Sequence, residues 1–143
     1  MFEGGFSHNA DTKGRIILPS SFREELGDSL VITKGLDRCL YVFHVDIWNE
    51  YREKISKLPF SDPGTRTFIR HFISFSSRLD FDANGRVLVP NTLREYAGIK
   101  RDILSMGAIN HIEIWSKEYF DEDNSLSAAI APEIAEKMAA LGI

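Results

Sequence analysis

Residues 11–27 read DTKGRIILPSSFREELG, and residues 82–98 read DANGRVLVPNTLREYAG. Without gaps, the two stretches share Asp11/Asp82, Gly14/Gly85, Arg15/Arg86, Pro19/Pro90, Arg23/Arg94, Glu24/Glu95 and Gly27/Gly98. Apolar character is kept at Ile16/Val87, Ile17/Leu88, Leu18/Val89, Phe22/Leu93 and Leu26/Ala97. Past one inserted residue the match resumes, with Gly35 against Gly107 and LYVF (40–43) against IEIW (112–115). The spacing is too long for a solenoid repeat, so the chain reads as a tandem duplication of one small module.

The local chemistry of the repeat specifies a hairpin turn. Aspartate at the first turn position accepts backbone N–H bonds with its carboxylate, and glycine at the fourth tolerates the left-handed conformation of a G1 bulge. Asp11–Gly14 and Asp82–Gly85 therefore reverse the chain, and Arg15 and Arg86 begin the returning strands. The strand residues 16–18 and 87–89 are apolar throughout, which predicts strands covered on both faces. Proline ends each strand and a helix of about two turns follows. Ser21 with Glu24, and Thr92 with Glu95, fit capping boxes, and Gly27 and Gly98 suit the helix ends. Strands near 29–34 and 39–44, and near 103–107 and 111–115, complete the units. A helix this short needs tertiary support, so Phe22, Leu26 and Leu93 must pack on the strands. A module of about 45 residues sits at the lower limit for an independent core. Each copy should therefore pair with its twin, as an intertwined pseudo-dimer, or with another chain.

Between the copies, Asp46 is expected to cap a helix running to about Leu58. Its apolar face carries Ile47, Trp48, Tyr51, Ile55 and Leu58. Asp62-Pro63 starts a second helix with proline at its favoured first position and Phe68, Ile69, Phe72 and Ile73 as its stripe. Ser116 is expected to cap a short helix through Phe120. The last 19 residues, SLSAAIAPEIAEKMAALGI, are Ala-rich and helical in propensity, with Pro132 as an interruption. They could pack on a neighbouring subunit or stay loose. The expected fold is α+β, mainly β, divided into a first module at 5–47, a helical connector at 48–75, a second module at 76–119 and a helical or mobile tail at 120–143.

Of the 143 residues, 43% are hydrophobic and 27% charged, a globular composition. No apolar run approaches the roughly 20 residues that span a bilayer, and the opening residues have no signal-peptide pattern. The lone Cys39 excludes an internal disulfide and any multi-cysteine metal site; it should be buried and inert. His8, His44, His71 and His111 lack metal-ligand spacing. No cofactor motif or small-molecule site is recognisable, and the expected location is the cytosol.

The net charge of −4 opposes nucleic-acid binding until its distribution is considered. Residues 64–101 carry seven basic and three acidic groups, whereas residues 117–143 carry two and six. Arginine can fork onto guanine in the major groove, and a two-stranded ribbon fits that groove. Arg15 and Arg86 are thus the first DNA-binding candidates, although each could simply pair with its own turn aspartate. Lys13 and Asn84 share one turn position; they could meet phosphate or a base, or serve the turn alone. Thr12 and His8 are weaker candidates for the DNA backbone. Arg23 and Arg94 are expected to pair with carboxylates, and Arg66 with Arg70 forms a basic ridge on its helix. Two competing functions stay open on the residues alone. Asp11 and Asp82 could serve a two-aspartate hydrolase, or the turns could be structural parts of an assembly scaffold. The first lacks any phosphate loop, nucleophile elbow or metal triad.

The opening MFEGGFSHNADTKGRIILPSSFR and the later DFDANGRVLVPNTLREYAGI, followed by HIEIW, resemble the MraZ family of bacterial transcriptional regulators over residues 1 to about 122. The family's Asp-x-x-x-Arg motif is matched at Asp11 to Arg15 and at Asp82 to Arg86. The resemblance implies the swapped-hairpin fold of the AbrB and SpoVT regulators, closed here as an intertwined β-barrel. It also implies no enzymatic activity, a ring-shaped homo-oligomer, and nucleoid association. The expected partner is double-stranded DNA carrying short direct repeats upstream of the division and cell-wall gene cluster, with repression as the outcome. One chain presents few cations at its turns, so a ring would bind through many copies at once.

Overall fold

A computed structural model describes residues 1–124 and 130–143 of the chain. The first repeat supplies β1 (Gly5–Asn9), β2 (Arg15–Ile17), α1 (Ser20–Leu26), β3 (Ser29–Lys34) and β4 (Leu40–Phe43). The connector forms α2 (Val45–Ser56) and α3 (Pro63–Phe72). The second repeat supplies β5 (Ser77–Asp80), β6 (Arg86–Leu88), α4 (Asn91–Ala97), β7 (Asp102–Gly107) and β8 (Ile112–Ser116), followed by α5 (Lys117–Asn124) and α6 (Pro132–Ala140). The result is α+β, with a mostly antiparallel sheet and six helices among the described residues.

Among the described residues, β3 pairs with β4 and β7 with β8 inside each repeat, while the other four strand pairings run between the repeats. One sheet has six strands in the order β1-β7-β8-β4-β3-β5, and β2 pairs with β6 in a separate two-stranded ribbon. The strand before each turn leaves its own repeat: Phe6 lies opposite Ser105 of β7, and Leu79 opposite Leu30 of β3. The expected closed barrel is not formed among the described residues. Two three-residue strands bond only to each other, so the ribbon covers the large sheet without joining its edges.

That arrangement also corrects the expected burial of the ribbon. Ile16 and Val87 are 1% and 2% exposed, but Ile17 and Leu88 are 50% and 56% exposed. Successive strand residues point to opposite faces, and only the inner face meets the core. There Ile16, Leu18, Val87 and Val89 join Phe22, Leu30, Ile32, Leu40, Leu93, Ile103, Ile112 and Ile114. A second cluster, Val31, Phe43, Trp48, Ile55 and Phe72, fastens the connector helices to the sheet.

Several helix starts differ from expectation. Neither capping box forms: Pro19 and Pro90 precede α1 and α4, and no side chain caps either helix. The Pro19 carbonyl instead accepts from Phe22 and Arg23, and that of Pro90 from Leu93 and Arg94. Ser21 and Thr92 already lie inside the first turn, too far along to act as caps, while the Asn91 amide donates to Glu95. At α2 the cap is His44, whose Nδ1 accepts from the Asp46 N–H at 3.0 Å, so Asp46 lies in the first turn. That helix ends at Ser56, short of Leu58. Asp62 caps α3 as expected, accepting from Thr65 N at 2.8 Å with Pro63 in the first turn. Ser116 Oγ accepts from Tyr119 N at the start of α5, which continues beyond Phe120 to Asn124. In the tail, Pro132 starts α6 rather than interrupting a helix, and no residue of α6 is buried. The earlier part of the tail, residues 125–129, lies outside the described residues.

Candidate nucleic-acid interface

Each turn is built by one aspartate. Asp11 Oδ1 accepts from Lys13 N and Arg15 N, both at 2.9 Å, and Oδ2 accepts from Arg15 Nε at 2.6 Å. Asp82 repeats the pattern with Asn84 N at 2.8 Å, Arg86 N at 2.9 Å and Arg86 Nε at 2.9 Å. The glycine N–H closes each turn onto the aspartate carbonyl, from φ values of +85° at Gly14 and +74° at Gly85. A side chain is strained in that conformation, whereas glycine is not. The backbone N–H of the following arginine is the main cause holding both carboxyls below the ordinary aspartate range, with the arginine side chain and the turn N–H adding to it.

Aspartate engages only one edge of each guanidinium. The Nε is committed, which orients the planar group and leaves its terminal N–H groups for another acceptor. The register then decides where the arginines sit. Arg15 lies opposite Leu88, and Ile17 opposite Arg86. Alternation places Arg15, Ile17, Arg86 and Leu88 together on the outer face of the ribbon, opposite the buried Ile16 and Val87. Arg15 and Arg86 also line one cleft, together with Asp11, His8 and Arg23. Thr12, Lys13 and Asn84 are exposed at the turn tips.

Sequence reasoning missed two parts of this surface. Ile17 and Leu88 were assigned to the core because they are apolar; their two-residue spacing from the arginines was the available signal. Among the described residues, Arg23 and Arg94 pair with no carboxylate. Their Nε groups donate to the carbonyls of Leu18 and Val89, both at 3.0 Å. Each guanidinium lies beneath the other repeat's turn. A Cβ on Gly85 would lie 2.6 Å from Arg23 Nη1, and a Cβ on Gly14 would collide with Arg94. No local pattern reveals such a contact between repeats.

The histidines have structural partners. His8 Nε2 lies 2.6 Å from Ser105 Oγ, His71 Nε2 bonds the Gly35 carbonyl at 2.7 Å, and His111 packs on Tyr41. Cys39 is buried, and that burial pushes its thiol pKa up. Arg66 Nη1 donates to the carbonyls of Phe60 and Ser61.

The α+β fold thus sets two aspartate-ordered arginines on the outer face of one ribbon, each aspartate bound to its own arginine. The chain matches the model of the family described as "MraZ protein, putative antitoxin-like" over residues 1–71 and 73–137. It belongs to the MraZ family, a family of transcriptional regulators and not of enzymes. It is similar to proteins named Transcriptional regulator MraZ from Clostridium acetobutylicum, at 50% identity, and Clostridium tetani, at 46%. Another of that name, from Acetivibrio thermocellus, is 41% identical. All three alignments cover both chains in full. No helix among the described residues is long and apolar enough to cross a membrane.

Proposed function

We propose that this chain is a transcriptional repressor that places the outer face of its β2–β6 ribbon in the DNA major groove. The observation that carries the reading is the shared face of Arg15 and Arg86, each held at Nε by its own aspartate. The free edges of the two guanidinium groups can fork onto guanine, a contact worth about 1–3 kcal/mol of discrimination. Ile17 and Leu88 beside them can meet thymine methyl groups. Lys13, Thr12 and Asn84 at the turn tips reach toward phosphate, while Asp11, Gly14, Asp82 and Gly85 fix the turns.

The two modules, at 5–47 and 76–119, act as one swapped-hairpin unit joined by the connector at 48–75. The target is short direct repeats upstream of the division and cell-wall gene cluster, bound by a ring-shaped homo-oligomer associated with the nucleoid. The acidic balance of the chain supports the ring: weak single contacts gain strength only when several engage together.

Gel shifts with the promoter repeats test the reading. Arg15→Ala and Arg86→Ala should each weaken binding at least about 5-fold, the lower equivalent of one lost guanine fork. The oligomer's size on a sizing column should stay the same. Binding undiminished in both variants refutes the proposal, as does a single-repeat probe that binds as tightly as the full array.

A further inference from the structure

The two turns carry the same motif but stand in different electrostatic surroundings, the first richer in cations. Beside the first turn, Ala10 N donates to the Arg101 carbonyl at 2.8 Å, which brings the start of β7 against the turn. The cleft there is lined by Asn9, Asp11, Thr12, Arg94, Lys100 and Arg101. Lys13 stands at the turn tip, and Asn9 pairs with Asp102. Four cations thus stand by the first turn with Asp102, outside the Asp11–Arg15 pair, and the far side of Lys100 and Arg101 borders a second cleft that carries Lys117, Glu118 and Asp121. None of those four cations is ion-paired among the described residues.

The second turn has the same framework with other residues. Phe81 N approaches the Asp28 carbonyl at 3.5 Å, and Asp80 pairs with Ser29. Asp28 therefore stands where Arg101 stands at the first turn, Asp80 where Asn9 stands, and Asn84 where Lys13 stands. Arg23 is the counterpart of Arg94 there, and Arg78 lies two residues before Asp80 on the exposed face of β5, so two cations stand with the two carboxylates Asp28 and Asp80. Glu24 and Glu95 occupy equivalent positions and do not distinguish the sites.

We propose that the first turn is the main phosphate-binding turn of the unit, with Lys100 and Arg101 gripping the DNA backbone beside it, while the second turn reads bases with little backbone hold. This rests on the DNA-binding reading above and deepens it. The exposed Lys100 and Arg101 lie on the cleft beside Thr12, so a backbone passing the first turn meets them next. At the second turn, Asp28 and Asp80 repel the same backbone. The unit then has a direction on DNA that its internal repeat conceals.

The test is salt-dependent binding of the full-length oligomer, with Lys100→Gln/Arg101→Gln as the first variant. Each phosphate contact adds about 0.9 to the slope of log K against log salt. Losing two per engaged protomer should make the affinity loss between 50 and 200 mM salt smaller by about 12-fold for each protomer engaged. The weakening should be the same on promoter repeats and on unrelated duplex DNA. Asp28→Lys gives a gain that misfolding cannot imitate: it should steepen the slope by about one per protomer. An unchanged slope in the glutamine variant while Arg15→Ala still weakens promoter binding overturns this inference and leaves the turn reading standing. If Arg15→Ala and Arg86→Ala also bind normally, the turn reading falls and this inference with it.

Discussion

Gly14→Ala and Gly85→Ala place the same methyl group on equivalent turns, yet their costs should differ because different parts of an arginine lie beneath them. Both glycines have positive φ, at +85° and +74°, so each alanine carries about 1–2 kcal/mol of backbone strain. At Gly85 the new Cβ meets only the tip of Arg23, with Nη1 at 2.6 Å and Cζ at 3.7 Å. That tip can swing aside. At Gly14 the new Cβ meets the guanidinium broadside, including Nε at 2.5 Å. This Nε donates to the Val89 carbonyl, so moving it breaks a charged hydrogen bond, worth about 1.5–3 kcal/mol. Gly85→Ala should therefore destabilise the protein by about 1–2 kcal/mol, and Gly14→Ala by about 2.5–5 kcal/mol. Urea unfolding at one fixed protein concentration measures both, since association contributes to apparent stability. The double variant Gly14→Ala/Arg94→Ala should cost less than the sum of its parts by about 1.5–3 kcal/mol, because the arginine can be displaced only once. Equal costs for the two glycine variants, within about 0.5 kcal/mol, or simple additivity in the cycle would refute the contact between repeats.

Three further outcomes follow from buried groups. Burial lowers the His8 pKa below its ordinary value, with a backbone bond at Ile17 opposing it. The unfolded chain then takes up the proton first, so the His8 contribution is complete above about pH 6.5 and falls as pH drops toward the lowered folded value. Urea midpoints from pH 7.5 to 5 should show that decline, and His8→Gln should flatten it; an equal slope in the variant removes His8 as the cause. Thr33 is fully buried and its hydroxyl donates to the Phe72 carbonyl at 2.6 Å, tying β3 to the end of α3. Thr33→Val should cost about 1–3 kcal/mol by orphaning that carbonyl, and an unchanged melting temperature would show the bond to be dispensable. Cys39, with its thiol pKa pushed up by burial, should react with an aromatic disulfide reagent only as fast as the protein unfolds; rapid labelling of the native protein would contradict that.

The parts of this fold that were legible in the sequence are those decided by neighbouring residues. Asp11 and Gly14 are three residues apart, and their turn needs no other part of the chain. Asp62-Pro63 is legible for the same reason. At His44 and Asp46 two acceptors compete for one helix start, and the extended backbone at His44 settles the choice. The ribbon misled because apolar residues were equated with buried ones, whereas Ile17 and Leu88 share their face with the arginines. Arg23 and Arg94 were illegible for a deeper reason. Their seats beneath the opposite glycine turns exist only after the repeats have crossed, and no window of sequence contains both partners. Of the candidate site, the turn residues were readable, but their union on one surface required the register of β2 against β6.

The exchange of strands between repeats also sets a timetable for synthesis. β1 is complete at Asn9, but β7, its one partner strand among the described residues, begins at Asp102. At about 5–20 residues per second, a ribosome needs about 5–20 s to deliver that partner. Throughout this interval β1 lacks its partner strand, and Ile16 lacks Val87 until β6 has been made. Neighbouring chains on one messenger offer the same strands at the same moment. The duplication that joins both halves in one polypeptide thus keeps the completing half tethered nearby, and it makes the second repeat the intramolecular chaperone of the first.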